Sequence, residues 1–176
     1  MPLVTEPSFR WAAERKLVAD LYSEIRNSVY QYLLTLGLDA DRAQEFTQEA
    51  FLRLFRTLRE GTAIENPRGW IYRVAHNMAV DGAKAQSRES EMSDALLSTL
   101  VSTGEDPVQA LIEKEWVDGF RRAMEGLSHQ QRRCLELRAQ GLRYREIAEV
   151  LRVGTPTVGE FLRRAAKHLR RWGNGR

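Results

Sequence analysis

From Leu17 onward the apolar residues recur at every third or fourth position, and no stretch alternates apolar with polar as a half-buried strand must, so the chain is confined to helices. Leu17, Leu21, Ile25, Val29 and Leu33 form the first row, which Ser8 can cap after a frayed tail through Pro7, and Leu36-Gly37 stops it. Asp39 or Asp41 starts a second helix with Phe46, Ala50, Leu54 and Leu58 as its buried row, closed by Gly61. Asn66-Pro67 combines a cap with a proline at the first helical position and opens a third helix, which carries Trp70, Ile71, Val74, Ala75 and Met78 and runs to about Lys84. After Pro107 a helix resumes with Ile112, Trp116, Phe120 and Met124, and Ser128 with Gln131 spaces a capping box for the next, through Ala139.

Between Gln86 and Asp106 the periodicity gives way to Ser, Glu, Asp, Thr and Gly, with one apolar island at Ala95-Leu96-Leu97. The expected architecture is therefore all-α: two small helical domains, 8–85 and 107–172, joined by a flexible linker over 86–106. The linker acids Glu89, Glu91, Asp94, Glu105 and Asp106 form a negative patch between two basic modules, for which solvation alone is a sufficient reason.

The end of the chain is the most informative about function. Gly141-Leu142-Arg143-Tyr144-Arg145-Glu146-Ile147-Ala148-Glu149-Val150-Leu151 places Ile147, Ala148 and Leu151 on one face of a short helix, and Arg152-Val153-Gly154 supplies a turn. Thr155 can cap a second helix with Pro156 at its first position, and Val158, Leu162, Ala165 and Leu169 give that helix a buried stripe. This is a helix-turn-helix pattern. The opposite face offers Thr157, Gly159, Glu160, Arg163, Arg164, Lys167, Arg170 and Arg171, the composition of a helix that meets phosphates and base edges in a major groove. A plainer alternative is that the cations only complement a helix dipole and solvate an amphipathic surface. The short preceding helix, the glycine-containing turn and the Thr-Pro start, taken jointly, favour DNA contact.

Composition sets outer limits. With 176 residues, 43% hydrophobic and 29% charged, the chain can bury one ordinary core or two small ones. A net charge of +3 permits nucleic-acid binding without demanding it. The one cysteine, Cys134, excludes an internal disulfide and reads as core filler on the inner face of a helix, which fits a reducing cytoplasm. No apolar stretch approaches the roughly 20 residues that span a bilayer, and no signal-like segment precedes Glu14-Arg15-Lys16, so neither export nor membrane insertion is expected. His76, His129 and His168 lack partners at metal-ligand spacing. No metal, no cofactor and no enzymatic activity are expected, since the chain has no glycine-rich phosphate loop, no nucleophile elbow and no paired acid and base. With the sequence stopping at Trp172-Gly173-Asn174-Gly175-Arg176, no added C-terminal regulatory domain is expected either.

A second constellation lies on the third helix. From Asn66 to Asp81, cations and amides interleave with aromatics, which is what an unpaired nucleic-acid strand asks of a protein: rings replace lost base stacking and cations follow the backbone. Trp70, Val74 and Met78 share one helical stripe, however, and Trp70 reads better as core than as a stacking platform.

Three ordered stretches give the chain a recognisable likeness. Glu45-Phe46-Thr47-Gln48-Glu49-Ala50-Phe51-Leu52-Arg53 resembles the Asp-x-x-Gln-Glu-x-Phe signature of the extracytoplasmic-function (ECF) sigma factors of bacterial RNA polymerase, with Glu45 where Asp is usual. Asn66 to Asn77 is similar to their promoter-melting helix, whose core is Trp-Leu-Tyr-Arg-Ile-Ala-x-Asn. Leu127 to Leu169 resembles their C-terminal domain and carries the Thr-Val-x-x-x-Leu-x-Arg-Ala pattern at Thr157 to Ala165. The resemblance runs from about Leu17 to Arg170.

It implies a transcription initiation factor that binds core RNA polymerase, at its beta and beta-prime subunits, and promoter DNA both as duplex and as single strand. Glu45, Gln48, Glu49 and Arg53 would meet the clamp helices of the largest subunit. Asn77 and the loop Arg59 to Glu65, with Gly61, Thr62 and Ile64, would hold a flipped-out base of the minus-ten element, and Arg68, Tyr72, Arg73, His76 and Lys84 would line the strand. Flipping costs a few kcal/mol that stacking and phosphate contacts must offset. The minus-thirty-five duplex would meet Arg143, Thr155, Pro156, Thr157, Gly159, Glu160, Arg163, Arg164 and Lys167. The linker would thread toward the RNA exit path, where its acids suit a mimic of nascent RNA charge. An anti-sigma factor is the expected regulatory partner.

Two departures from the family pattern stand out. Where many relatives read Thr-Val-Lys-Ser-Arg-Leu, this chain reads Thr157-Val158-Gly159-Glu160-Phe161-Leu162. Glycine inside a helix costs about 0.5 to 1 kcal/mol relative to alanine, and a glutamate near the groove is repelled by phosphate unless it accepts a proton from a cytosine amino group. An altered or weaker minus-thirty-five preference is expected. Arg143 takes the usual Ser or Thr cap position, forfeiting roughly 1 kcal/mol of capping, and is free to touch phosphate instead. The rival reading is a sigma-like DNA-binding regulator or adaptor that does not initiate transcription. The altered recognition helix favours it; the Gln48-Glu49-x-Phe51 and Trp70-to-Asn77 signatures disfavour it.

Overall fold

Asp39 shows how locally these helices are specified. Its side chain accepts from the Arg42 backbone N–H at 2.8 Å, and helix α2 (Ala40–Arg59) begins directly after it. The computed structural model describes residues 7–84 and 107–174, with side chains over 11–82 and 114–174. The expected linker, with its acids and apolar island, lies outside the described residues.

Among those residues there are seven helices and no strand, so the fold is all-α. Helix α1 (Pro7–Thr35), α2 and α3 (Pro67–Lys84) form one compact unit; α4 (Pro107–Glu125), α5 (His129–Ala139), α6 (Tyr144–Leu151) and α7 (Thr155–Asn174) form a second. Helix α1 begins at Pro7, so Ser8 lies inside the helix rather than capping it. The stops fall where glycine can take a left-handed conformation. Gly37 (φ 86°) and Gly61 (φ 84°) follow α1 and α2 and donate to Leu34 O and Leu58 O at 2.9 and 3.0 Å.

In the first unit α1 packs on both α2 and α3, which also pack on each other. Its core is Ile25, Val29, Tyr32 and Leu33 from α1, Ala43, Ala50, Phe51 and Leu54 from α2, and Ile71, Tyr72, Ala75 and Ala79 from α3. Two hydroxyls are buried there at no loss of hydrogen bonding: Thr47 Oγ1 donates to Ala43 O and Thr35 Oγ1 to Tyr32 O, both at 2.7 Å. The every-fourth rows read from sequence are only half right. Ile25, Val29 and Leu33 are buried but Leu17 is 39% exposed, and Phe46 and Leu58 are half-buried while Ala43 and Phe51 are enclosed. A strict spacing of four drifts by about 40° per step around a helix of 3.6 residues per turn, so a long row must leave the core face.

In the second unit α7 packs on α4, α5 and α6. Ser128 Oγ accepts from the Gln131 N–H (3.3 Å) and Gln131 Oε1 from the Ser128 N–H (3.1 Å), the reciprocal cap expected for α5. Cys134 is fully buried and burial pushes its thiol up to about 11, so it is an inert core residue. Arg133 and Glu136, both nearly enclosed, pair at 2.8 Å. Trp116, Phe120 and Trp172 cluster with ring centroids 5.4 to 6.0 Å apart, and His168 Nε2 lies 3.0 Å from Ala123 O, which together join α7 to α4.

Candidate nucleic-acid interface

The turn between α6 and α7 is tight because Arg152 adopts φ 55°, ψ 45°, the left-handed conformation usually left to glycine. Val153 N–H then reaches back to Ala148 O at 3.1 Å, and α7 opens with Val158 N–H on Gly154 O at 3.1 Å. Thr155 is thus the first residue of α7 and Pro156 the second, so the helix begins one residue earlier in the chain than the sequence suggests. Ile147, Ala148 and Val150 anchor α6, with Leu151 only half-buried, and Val158, Leu162 and Ala165 anchor α7. This fixes the other face of α7 outward: Thr155, Pro156, Thr157, Arg163, Arg164, Lys167, Arg170 and Arg171 are exposed.

Glu160 organises that face. Its carboxylate accepts from Arg163 Nε and Nη2, both at 2.8 Å, and from Arg164 Nε at 2.6 Å. These bonds hold its carboxyl down to about 2, so it is ionised throughout the range in which proteins bind DNA. The spacing of three and four residues is itself a signal for such pairing, overlooked when each charge is weighed singly against phosphate. Gly159 is half-buried, and a Cβ there would lie 3.7 Å from the ring of Tyr144, an aromatic 45% exposed at the start of α6. Tyr144 was not anticipated, although an aromatic opening the first helix of such a unit is legible. Arg143 is exposed and its backbone is extended (φ −80°, ψ 160°). A guanidinium has no acceptor to offer as a cap, so only the reverse half forms, with Glu146 accepting from the Arg143 N–H at 2.6 Å.

The α3 surface is more mixed. Gly61 and Thr62 are exposed in the loop before it, Ile64 is half-buried, and the Asn66 side chain caps α3 by accepting from the Gly69 N–H at 3.1 Å. Arg68 pairs with Glu24 of α1 at 2.8 Å, and His76 Nδ1 lies 2.8 Å from the Tyr32 hydroxyl. Arg73, Asn77 and Trp70 are half-buried; the Lys84 side chain lies outside the described residues. Tyr72 differs from expectation. It is fully buried, edge-on to Tyr32 at 5.7 Å, and burial raises its phenol pKa, so its ring has no surface to offer a strand. Its position in the middle of α3 faces α1, which only packing could reveal.

On α2, Glu45, Gln48, Glu49 and Arg53 come together along a groove that also includes Leu52 and Met78. Arg53 Nε donates to Glu49 at 2.7 Å and holds that carboxyl below its ordinary range, with Arg56 adding at 3.7 Å. Leu52 is 49% exposed between them. Among the described residues no cluster of His, Cys, Asp or Glu could hold a metal, and no helix is long and apolar enough to cross a membrane.

Two stretches of the chain match known family models. Residues 21–89 match the model for sigma-70 region 2 and residues 118–169 that for sigma-70 region 4. The chain is 29% identical over 160 residues to the ECF RNA polymerase sigma factor SigK of Mycobacterium ulcerans (89% of this chain, 86% of that protein). It is 24% identical over 155 residues to the ECF RNA polymerase sigma factor SigM of Bacillus subtilis (87% and 93%). The fold is similar to that of CnrH, solved in complex with the cytosolic domain of CnrY (TM-score 0.56, 15% identity, 96% of this chain and 95% of that one). Two region models in the expected order, over units that bury separate cores, lead to one conclusion: the chain belongs to the ECF sigma factors, a family of alternative sigma factors for transcription initiation and not of enzymes.

Proposed function

We propose that this chain directs promoter-specific initiation by reading two elements with two domains, 8–85 and 107–172. The observation that carries the reading is the cationic outer face of α7, held outward by the Val158, Leu162 and Ala165 stripe at the end of a helix-turn-helix. In this reading α7 enters the major groove of the minus-thirty-five element, with Arg143 and Lys167 on phosphates. The exposed loop at Gly61 and Thr62 and the α3 residues Arg73, His76 and Asn77 take the unpaired minus-ten strand. Arg68 joins them by releasing Glu24, an exchange that an exposed ion pair permits at little cost. The α2 groove of Glu45, Gln48, Glu49 and Arg53 docks core polymerase, where exposed Leu52 adds apolar area. The protein works in the cytoplasm, where core polymerase is found. The 86–106 segment connects the domains along the RNA exit path. An anti-sigma factor restrains it, a reading supported by the solution of the similarly folded CnrH in complex with another protein's cytosolic domain.

Run-off transcription with bacterial core polymerase, with and without this chain, on promoters randomised upstream of a fixed start, tests the whole reading. Specific transcripts that vanish with Gln48→Ala or Asn77→Ala are expected. Salt-sensitive duplex binding with no transcript would instead establish a polymerase-independent regulator.

A further inference from the structure

Glu160 lies in the middle of the outward face of α7. At about 100° per residue it points roughly 160 to 200° away from Val158 and Leu162, with Arg163 on one side and Arg164 on the other. A lone carboxylate there would be repelled by DNA. This one is bound to two guanidinium groups, so the three side chains together carry one positive charge and the repulsion is removed. We infer that Glu160, Arg163 and Arg164 act as one preassembled unit that reads a C·G base pair, an inference resting on the proposed entry of α7 into the major groove.

The hydrogen-bond inventory assigns the parts. A carboxylate has about four acceptor sites, and three N–H donors occupy Glu160, leaving one for the 4-amino group of cytosine. Arg163 gives Nε and Nη2 to the carboxylate, which locks its plane and directs Nη1 outward. Arg164 gives only Nε and keeps both terminal nitrogens for O6 and N7 of the paired guanine. The carboxylate thereby orients the arginine that reads the opposite base. Side chains held before binding lose less freedom on binding, so the unit favours discrimination over raw affinity. Glu160 is the sixth residue of α7, within the segment that recognition helices present to bases. The exposed Tyr144 ring flanks the unit, 3.7 Å from where a Cβ on the preceding Gly159 would lie.

The opposite reading treats Glu160 as a brake that merely occupies two cations. The two readings make opposing forecasts. The test uses the full chain assembled with core polymerase on a promoter pool randomised across the upstream element, at fixed salt, comparing wild type with Glu160→Ala and Arg164→Ala. Sequencing the retained promoters should show a C·G pair at one position, preferred about tenfold or more by wild type. Both variants should reduce that preference to about twofold or less at the same position and leave the other positions unchanged. If Glu160→Ala retains more of every promoter with an unaltered profile, or if the two variants lose different positions, the inference is overturned while the proposed function stands. If wild type retains no upstream preference at all, the minus-thirty-five reading itself fails, and this inference with it.

Discussion

Gly159 carries the clearest single-residue expectation. Its backbone is ordinary helix, and the Cβ of alanine would make van der Waals contact with the Tyr144 ring at 3.7 Å. Gly159→Ala should therefore stabilise the second unit by about 0.5 to 1 kcal/mol, read as a higher urea midpoint at constant slope; a lower midpoint would mean that the Tyr144 ring cannot accommodate even a methyl group. Arg152 presents the converse case. A left-handed arginine carries a backbone penalty of about 1 to 2 kcal/mol that glycine lacks, partly offset by glycine's larger unfolded entropy. Arg152→Gly should give a net gain of about 0.5 to 1 kcal/mol in the same measurement. Glu160 supplies a pH dependence. Because its folded pKa is about 2 against an ordinary 4.5, the folded state holds the proton less tightly. Its stabilising pairs are complete above about 4.5 and are lost as the pH falls toward 2. A carboxyl carbon titration should find the midpoint near 2, and Arg163→Gln should move it upward.

At the scale of the element, the helix boundaries rest on caps that can be removed one at a time. Ser128 and Gln131 exchange two hydrogen bonds at the start of α5. Ser128→Ala should cost about 1 kcal/mol. The loss should appear in the amide exchange of α5 and leave that of α1 to α3 unchanged. An equal effect on both sets would show that the caps are not local. Such elements were legible because caps, glycine stops and Pro starts act within three or four residues of themselves: Asp39, Asn66 and Ser128 all cap where the sequence places them. The sequence puts the start of α1 two residues late, because Pro7 itself occupies the first turn, and the start of α7 one residue late, because Gly154 supplies the first carbonyl ahead of Thr155. The buried faces were less legible than the ends. On α2 Ala43 and Phe51 are enclosed where Phe46 and Leu58 were expected, since which of several apolar faces is covered depends on the neighbouring helices.

For the whole molecule, sequence alone determined an all-α fold, the helix-turn-helix at its end, and the set of cations along α7. These follow from periodicity, from caps and from charge, all of which are encoded in residues a turn apart. It also carried the likeness to ECF sigma factors, because three motifs in order are a property of the chain and not of its packing. Tertiary structure decided the rest. Tyr72 became core rather than strand contact, because α3 turns that side chain against Tyr32. His76 came to rest on Tyr32 and Arg68 on Glu24, partners 44 residues away that no local spacing joins. The physical reason is loop closure and burial: contacts between distant residues exist only after helices dock, and the faces that dock are chosen by the total apolar area removed from water rather than by any one residue's type.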